Sequence, residues 1–155
     1  MDALTIALIF IGSYLLGAVP FGYIFVKIST GQDVTAIQSG RTGGTNAMRA
    51  AGLGIGLLTA LIDFLKAAVA VWVSKALLPD AYIIHAIAPI FAILGHNYSI
   101  FLIHRDTEGK MRLGGGAGGA ACVGGSTGLW GPSFFIIFPV AAFIFYFVGY
   151  ASVTT

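Results

Sequence analysis

Charge is scarce in this sequence. Asp, Glu, Lys and Arg make up 9% of its 155 residues, where a soluble globular domain carries about 25%. So few charges cannot coat a water-exposed surface, and 57% hydrophobic residues is more than one core of this size would hide. Mean hydropathy is +0.93. An ordinary water-soluble enzyme is thereby excluded. The single cysteine, Cys122, excludes a disulfide scaffold, and the abundance of apolar residues excludes a disordered chain. A formal charge of +2, scattered along the chain, is too small for a nucleic-acid footprint, so no nucleic-acid partner is expected. Metal-ligand spacing is also missing: there is no paired-histidine helix pattern and no cysteine cluster, so no metal and no cofactor are expected. An integral membrane protein remains.

The uncharged runs set the expected architecture. Leu4 to Val26 carries no charge and is long enough, at 1.5 Å per residue, to cross a hydrocarbon layer of roughly 30 Å. A cleaved signal would need a basic start and a shorter apolar run, so this segment is read as a retained helix, bent near its end by Pro20 and Gly22. Further spans are expected over Leu53 to Leu77, Ala81 to Ile103, within Gly114 to Leu129, and over Ser133 to Tyr150. The fold expected is therefore an all-α polytopic membrane bundle of about five transmembrane segments. The fourth is unusual, because Gly114 to Gly131 holds nine glycines in eighteen positions. Such density suits close helix packing or a broken helix lining a cavity.

Basic residues orient the bundle. The first and third loops with their flanks hold Lys27, Arg41, Arg49, Arg105, Lys110 and Arg112, against Lys75 alone on the other side. That distribution predicts cytoplasmic long loops and an outside N-terminus.

Polar residues cluster on the same side. Ser39 to Arg49 reads Ser-Gly-Arg-Thr-Gly-Gly-Thr-Asn-Ala-Met-Arg. Glycines admit an anion to the backbone and arginine forks onto phosphate oxygens. A flexible loop whose arginines merely orient the protein fits the composition equally well, and no Walker A sequence is present. Asp63 and Lys66 share one helix face inside the second span, either as an ion pair that orients the helix or as supports for the loop. His96 lies near the cytoplasmic end of the third span, as a hydrogen-bonded structural residue or as a catalyst. Cys122, in a Gly/Ala stretch, is read as a packing residue.

Together these stretches resemble the bacterial acyl-phosphate:glycerol-3-phosphate acyltransferases. Ser39 to Asn46 with Arg49 is similar to that family's Ser-Gly-Asn-x-Gly-Ala-Thr-Asn-x-x-Arg loop, and Asp63 and Lys66 match its Asp-x-x-Lys. Gly95-His96 with Ile100-Phe101-Leu102 resembles Gly-His-x-x-Pro-x-Phe. Gly115 to Ala121 falls where the family has Gly-Gly-Lys-Gly-Val-Ala-Thr, and Tyr150 to Thr155 resembles Tyr-x-Ser-Leu-Ala-Ser.

The resemblance implies a bacterial inner-membrane enzyme that acylates the 1-hydroxyl of glycerol 3-phosphate from acyl phosphate, giving lysophosphatidic acid and phosphate for phospholipid synthesis. Its partners would be those two substrates, membrane lipid, and functionally the enzyme that makes acyl phosphate. It implies His96, Asn46 and Ser39 as catalytic residues. Arg49, Ser39, Gly40, Thr45, Gly115, Gly116, Gly118, Lys110, Arg112 and Ser152 would bind phosphate, and Asp63 and Lys66 would position the site. Residues 1–155 would form a single acyltransferase domain lacking its C-terminal helices.

Among the departures from the pattern, Ala117 replaces the lysine, Ala121 the threonine and Arg41 the usual asparagine. Lys110 or Arg112 is expected to restore the missing charge. A non-catalytic relative and a small transporter of an anionic solute are the alternatives, although the internal repeat common in transporters is not visible.

Overall fold

The computed structural model describes residues 2–105 and 108–148. Asp2 caps the first helix, its carboxylate accepting from the backbone N–H groups of Leu4 and Thr5. Helix α1 (Ala3–Ala18) stops at Val19 because Pro20 has no N–H to continue the ladder, and α2 (Phe21–Thr30) follows at once. The bend expected near Pro20 is thus a full break, and the helical stretch runs four residues beyond Val26. Lys27 there donates to the Gly31 carbonyl at 3.0 Å, where the helix ends in a left-handed glycine.

A short 3₁₀ turn (Val34–Ala36) precedes α3 (Gly44–Ala51), so the second half of the expected Ser39–Arg49 loop is helical. Helix α4 (Leu53–Leu77) matches the second predicted span. Helix α5 (Tyr82–Asn97) ends earlier than expected, and the apolar remainder becomes a 3₁₀ turn (Ile100–Leu102) and a strand. Strands β1 (Ile103–Arg105) and β2 (Met111–Leu113) form an antiparallel hairpin with His104 opposite Arg112, a small departure from an all-α chain. Helix α6 (Gly119–Leu129) has eleven residues, about 16 Å, and α7 (Ser133–Val148) closes the described chain. Among the described residues, three stretches, Ala3–Thr30, Leu53–Leu77 and Tyr82–Leu102, are long and apolar enough to cross a membrane, and α7 contributes a shorter apolar helix.

The packing is inside-out relative to a water-soluble domain. Leu4, Leu8, Ile11 and Leu15 recur at helical spacing on α1 and are all exposed, as are Leu53, Leu57 and Leu61 on α4. Buried positions are small, and Val26, Val34 and Val71 are among the largest side chains fully enclosed. Small residues let helices meet backbone to backbone. A Cβ at Gly17 would strike the Ala92 backbone and one at Gly95 the Tyr14 backbone, which joins α1 to α5. Gly124 and Gly128 seat α6 on α4 against Phe64 and Ala68 in the same way. Lys75 then caps the end of α6, donating to the Gly128 and Leu129 carbonyls at 2.8 and 3.0 Å. Helix α4 is the hub, touching α1, α2, α3, α5 and α6.

Candidate active site

Residues 37–43 form one wall of the site. This segment is irregular, so its carbonyls need partners, and Asn46 on α3 supplies them. Its side-chain amide donates to the carbonyls of Val34 (3.0 Å), Ile37 (2.9 Å) and Arg41 (2.9 Å) from a buried position. Asp33 fixes the entry to the wall: its carboxylate accepts from the Thr35 hydroxyl and N–H, and these bonds hold it below the ordinary carboxylate range. Ser39 Oγ accepts from the Arg41 N–H at 3.4 Å, leaving the hydroxyl hydrogen for a ligand.

The glycine segment 114–116 forms the opposite wall. It is strung between α5 and the first wall by backbone bonds: Ser99 N–H to Gly114 (2.8 Å), Gly116 N–H to His96 (2.9 Å) and Thr42 N–H to Gly115 (3.2 Å). Side chains here would destroy that arrangement. A Cβ on Gly116 would land on the His96 ring, and one on Gly115 on the carbonyls of His96 and Asn97. Gly118, at φ +89°, turns the segment into α6 while lying against the Asn97 amide.

Between the walls opens a cavity of ≈ 430 Å³, lined by Ser39, Gly40, Arg41, Asn97, Tyr98, Leu113, Gly114, Gly115 and Ala117. Among the described residues, Arg41 is the one charged residue in this lining. Its Nη1 donates to the Gly116 carbonyl at 2.9 Å and so bridges both walls.

Behind the glycine wall lies a buried polar network. Asp63 Oδ1 sits 2.9 Å from Lys66 Nζ and 3.4 Å from His96 Nδ1, all three nearly inaccessible. Lys66 also donates to the Val19 carbonyl (3.3 Å), at the break before Pro20. Ser99 Oγ donates to Ala18 O beside it, and the Tyr14 hydroxyl to Tyr98 O at 2.8 Å. The α1–α2 break is thereby tied to α4 and to the chain leaving α5, at the base of the cavity.

The family model for glycerol-3-phosphate acyltransferase matches residues 7–155. The chain belongs to that family. Among relatives in the acyltransferase family, the glycerol-3-phosphate acyltransferase of Pseudothermotoga lettingae is 37% identical over 145 residues, covering 94% of this chain and 62% of the relative. The Bartonella henselae protein is 32% identical over 152 residues, covering 97% and 68%. That of Syntrophomonas wolfei is 36% identical over 102 residues, covering 66% and 51%. The chain thus spans about half to two thirds of the length of such curated relatives. Among solved structures, PlsY (YgiH), an integral membrane glycerol 3-phosphate acyltransferase in its glycerol 3-phosphate form, superposes with TM-score 0.83 at 28% identity, over 97% of this chain and 70% of that one. The lysophosphatidic acid form of PlsY gives 0.73 at 27% identity, over 91% and 65%. With its apolar helices, the chain is a multi-pass membrane protein of the acyltransferase family.

The residues expected from the acyltransferase motifs fall into distinct places. Ser39, Gly40 and Gly115 line the cavity, whereas Gly116 and Gly118 pack behind it on His96 and Asn97. His96 and Asn46 are buried in the supports of the two walls rather than in the lining. Thr45 and Arg49 are exposed on α3, one turn apart and outside the lining. Lys110 pairs with Glu108 at 2.8 Å near the hairpin turn, and neither it nor Arg112 lines the cavity. Ser152 lies outside the described residues. Asn97 and Tyr98 are additions: they follow His96 directly, but only the turn out of α5 brings them to the opening. Gly124-Gly125-Ser126-Thr127-Gly128 has nucleophile-elbow spacing, yet it lies inside α6 with two glycines packed on α4, not at a strand-to-helix turn.

Proposed function

We propose that this chain transfers a fatty acyl group from acyl phosphate to the 1-hydroxyl of glycerol 3-phosphate, giving lysophosphatidic acid and inorganic phosphate. The cavity carries this reading: a mouth of hydroxyl, guanidinium and peptide groups among helices whose outer faces are apolar. Both substrates present phosphate, and the donor adds a tail that requires apolar surface. Family membership supports glycerol 3-phosphate as the acceptor.

The donor is a mixed anhydride, already activated, so alignment and charge stabilisation are the main demands on the protein. The acceptor oxygen bonds to the acyl carbon, the bond from that carbon to the phosphate oxygen breaks, and the hydroxyl proton leaves with the phosphate. Ser39 donates to a phosphate oxygen, and Arg49 with Thr45 offers a second anion contact on α3 for the other head group. His96 is a positioning residue: with Nδ1 towards Asp63 and its ring against Gly116, it holds the glycine wall in place. Asn46 positions the first wall. The cavity opens to the cytoplasm of a bacterial inner membrane with the N-terminus outside, and acyl phosphate comes from the enzyme that makes it.

The test supplies acyl phosphate and labelled glycerol 3-phosphate to membranes carrying this protein in a host without its own acyltransferase. Lysophosphatidic acid and phosphate are expected in equal amounts, with no product from acyl-CoA. Product from acyl-CoA alone, or none from a folded protein, would contradict the reading.

A further inference from the structure

We propose that Arg41 supplies the positive charge that binds the substrate phosphate beside Ser39, taking over at the cavity the charge that the resembled motif places at position 117. The inference rests on the acyl-transfer reading for the identity of the anion. It rests on geometry for the place.

Arg41 and Ala117 both line the cavity although they are far apart in sequence, and the Arg41 guanidinium is anchored on the carbonyl of Gly116, the residue before Ala117. A side chain from position 41 therefore reaches the space that a side chain from position 117 would enter. One Nη1–H is used on that carbonyl. A guanidinium has five N–H donors, so the rest of the fork stays available for phosphate oxygens. The charge balance agrees: the resembled motif's asparagine and lysine at these two positions carry one positive charge together, and so do Arg41 and Ala117.

The two cations expected to compensate are placed differently. Lys110 is at the hairpin turn, 2.8 Å from Glu108. Arg112 lies on β2 opposite His104 and is not among the residues that line the cavity, although its neighbour Leu113 is.

The experiment compares Arg41→Gln, and Arg41→Gln with Ala117→Lys, in the purified detergent-solubilised protein. Glutamine removes the charge and, being two atoms shorter, also gives up the bond to the Gly116 carbonyl, so rescue by Ala117→Lys separates charge from bridging. Binding of labelled glycerol 3-phosphate and of inorganic phosphate is read alongside lysophosphatidic acid formation. Arg41→Gln is expected to weaken both ligands about tenfold or more, and Ala117→Lys to restore them to within about threefold. A purely structural arginine would not be rescued by a charge introduced on the other wall. Unchanged binding in Arg41→Gln, a loss that Ala117→Lys does not repair, or wild-type protein that binds neither ligand would each overturn the proposal. Phosphate binding that follows Arg41 while wild-type protein makes no lysophosphatidic acid would support the anion site and reject the acyl-transfer reading instead.

Discussion

Asp63 is contacted by Lys66 and His96 in a setting with almost no water. Removing one partner from a buried ion pair leaves an uncompensated charge and costs about 3–5 kcal/mol. Asp63→Asn should therefore lower the unfolding midpoint in detergent and reduce activity together. Asp63→Asn with Lys66→Leu should recover much of the stability but not the activity, because His96 still lacks its partner. Recovery of both would show that the network only supports the fold. The pair itself was legible in the sequence as two charges three residues apart. The third member was not, because only the packing of α5 on α4 brings His96 to it.

Asn46 makes the same point about side-chain roles. Its motif position suggested contact with substrate, but its amide is occupied by three loop carbonyls. Asn46→Ala is expected to cost about 1–3 kcal/mol by leaving these carbonyls unpartnered and to raise the KM for glycerol 3-phosphate. Asn46→Asp, nearly identical in shape, should be worse, since it turns acceptors towards acceptors. A calorimetric or denaturant series on the three proteins checks the order. Equal stability in Ala and Asp variants would contradict the clamp.

At the scale of elements, glycine content was a good guide to close packing and a poor one to where helices begin. The Gly114–Leu129 stretch divides into an extended wall and a short helix, because Gly116 must sit on the His96 ring while Gly124 must meet the Phe64 carbonyl. Gly124→Ala places a methyl on that carbonyl and should cost about 1–3 kcal/mol or more through overpacking. Gly12→Ala meets nothing within 4 Å and should be neutral or stabilising, as helix propensity favours alanine. Thermal unfolding of both in one detergent checks the contrast, and equal losses would contradict the packing scheme. Helix α3 escaped sequence reading because Gly43-Gly44-Thr45-Asn46 is a weak helix start. Tertiary packing supplies what propensity lacks, with Gly44 and Met48 of α3 seated on Gly56 of α4. The hairpin was hidden for a similar reason: three-residue strands are too short to show alternation.

For the whole molecule, the membrane character followed from composition alone, since an apolar exterior needs lipid. The basic residues around the cavity support the proposed cytoplasmic opening. Single cysteines at Gln38 and Asp80, in a Cys122→Ala background, should react with a membrane-impermeant maleimide from opposite sides of sealed vesicles, Gln38 from the cytoplasmic side. Labelling of both from one side would overturn the orientation.

In the proposed reaction the space between residues 39–41 and the glycine wall holds the phosphate of glycerol 3-phosphate. An experimental structure of the protein with glycerol 3-phosphate bound tests it most directly. The phosphate is expected within hydrogen-bonding distance, about 3 Å, of Ser39 Oγ and the Arg41 guanidinium. Phosphate bound elsewhere, with this cavity filled by water or lipid, would contradict it.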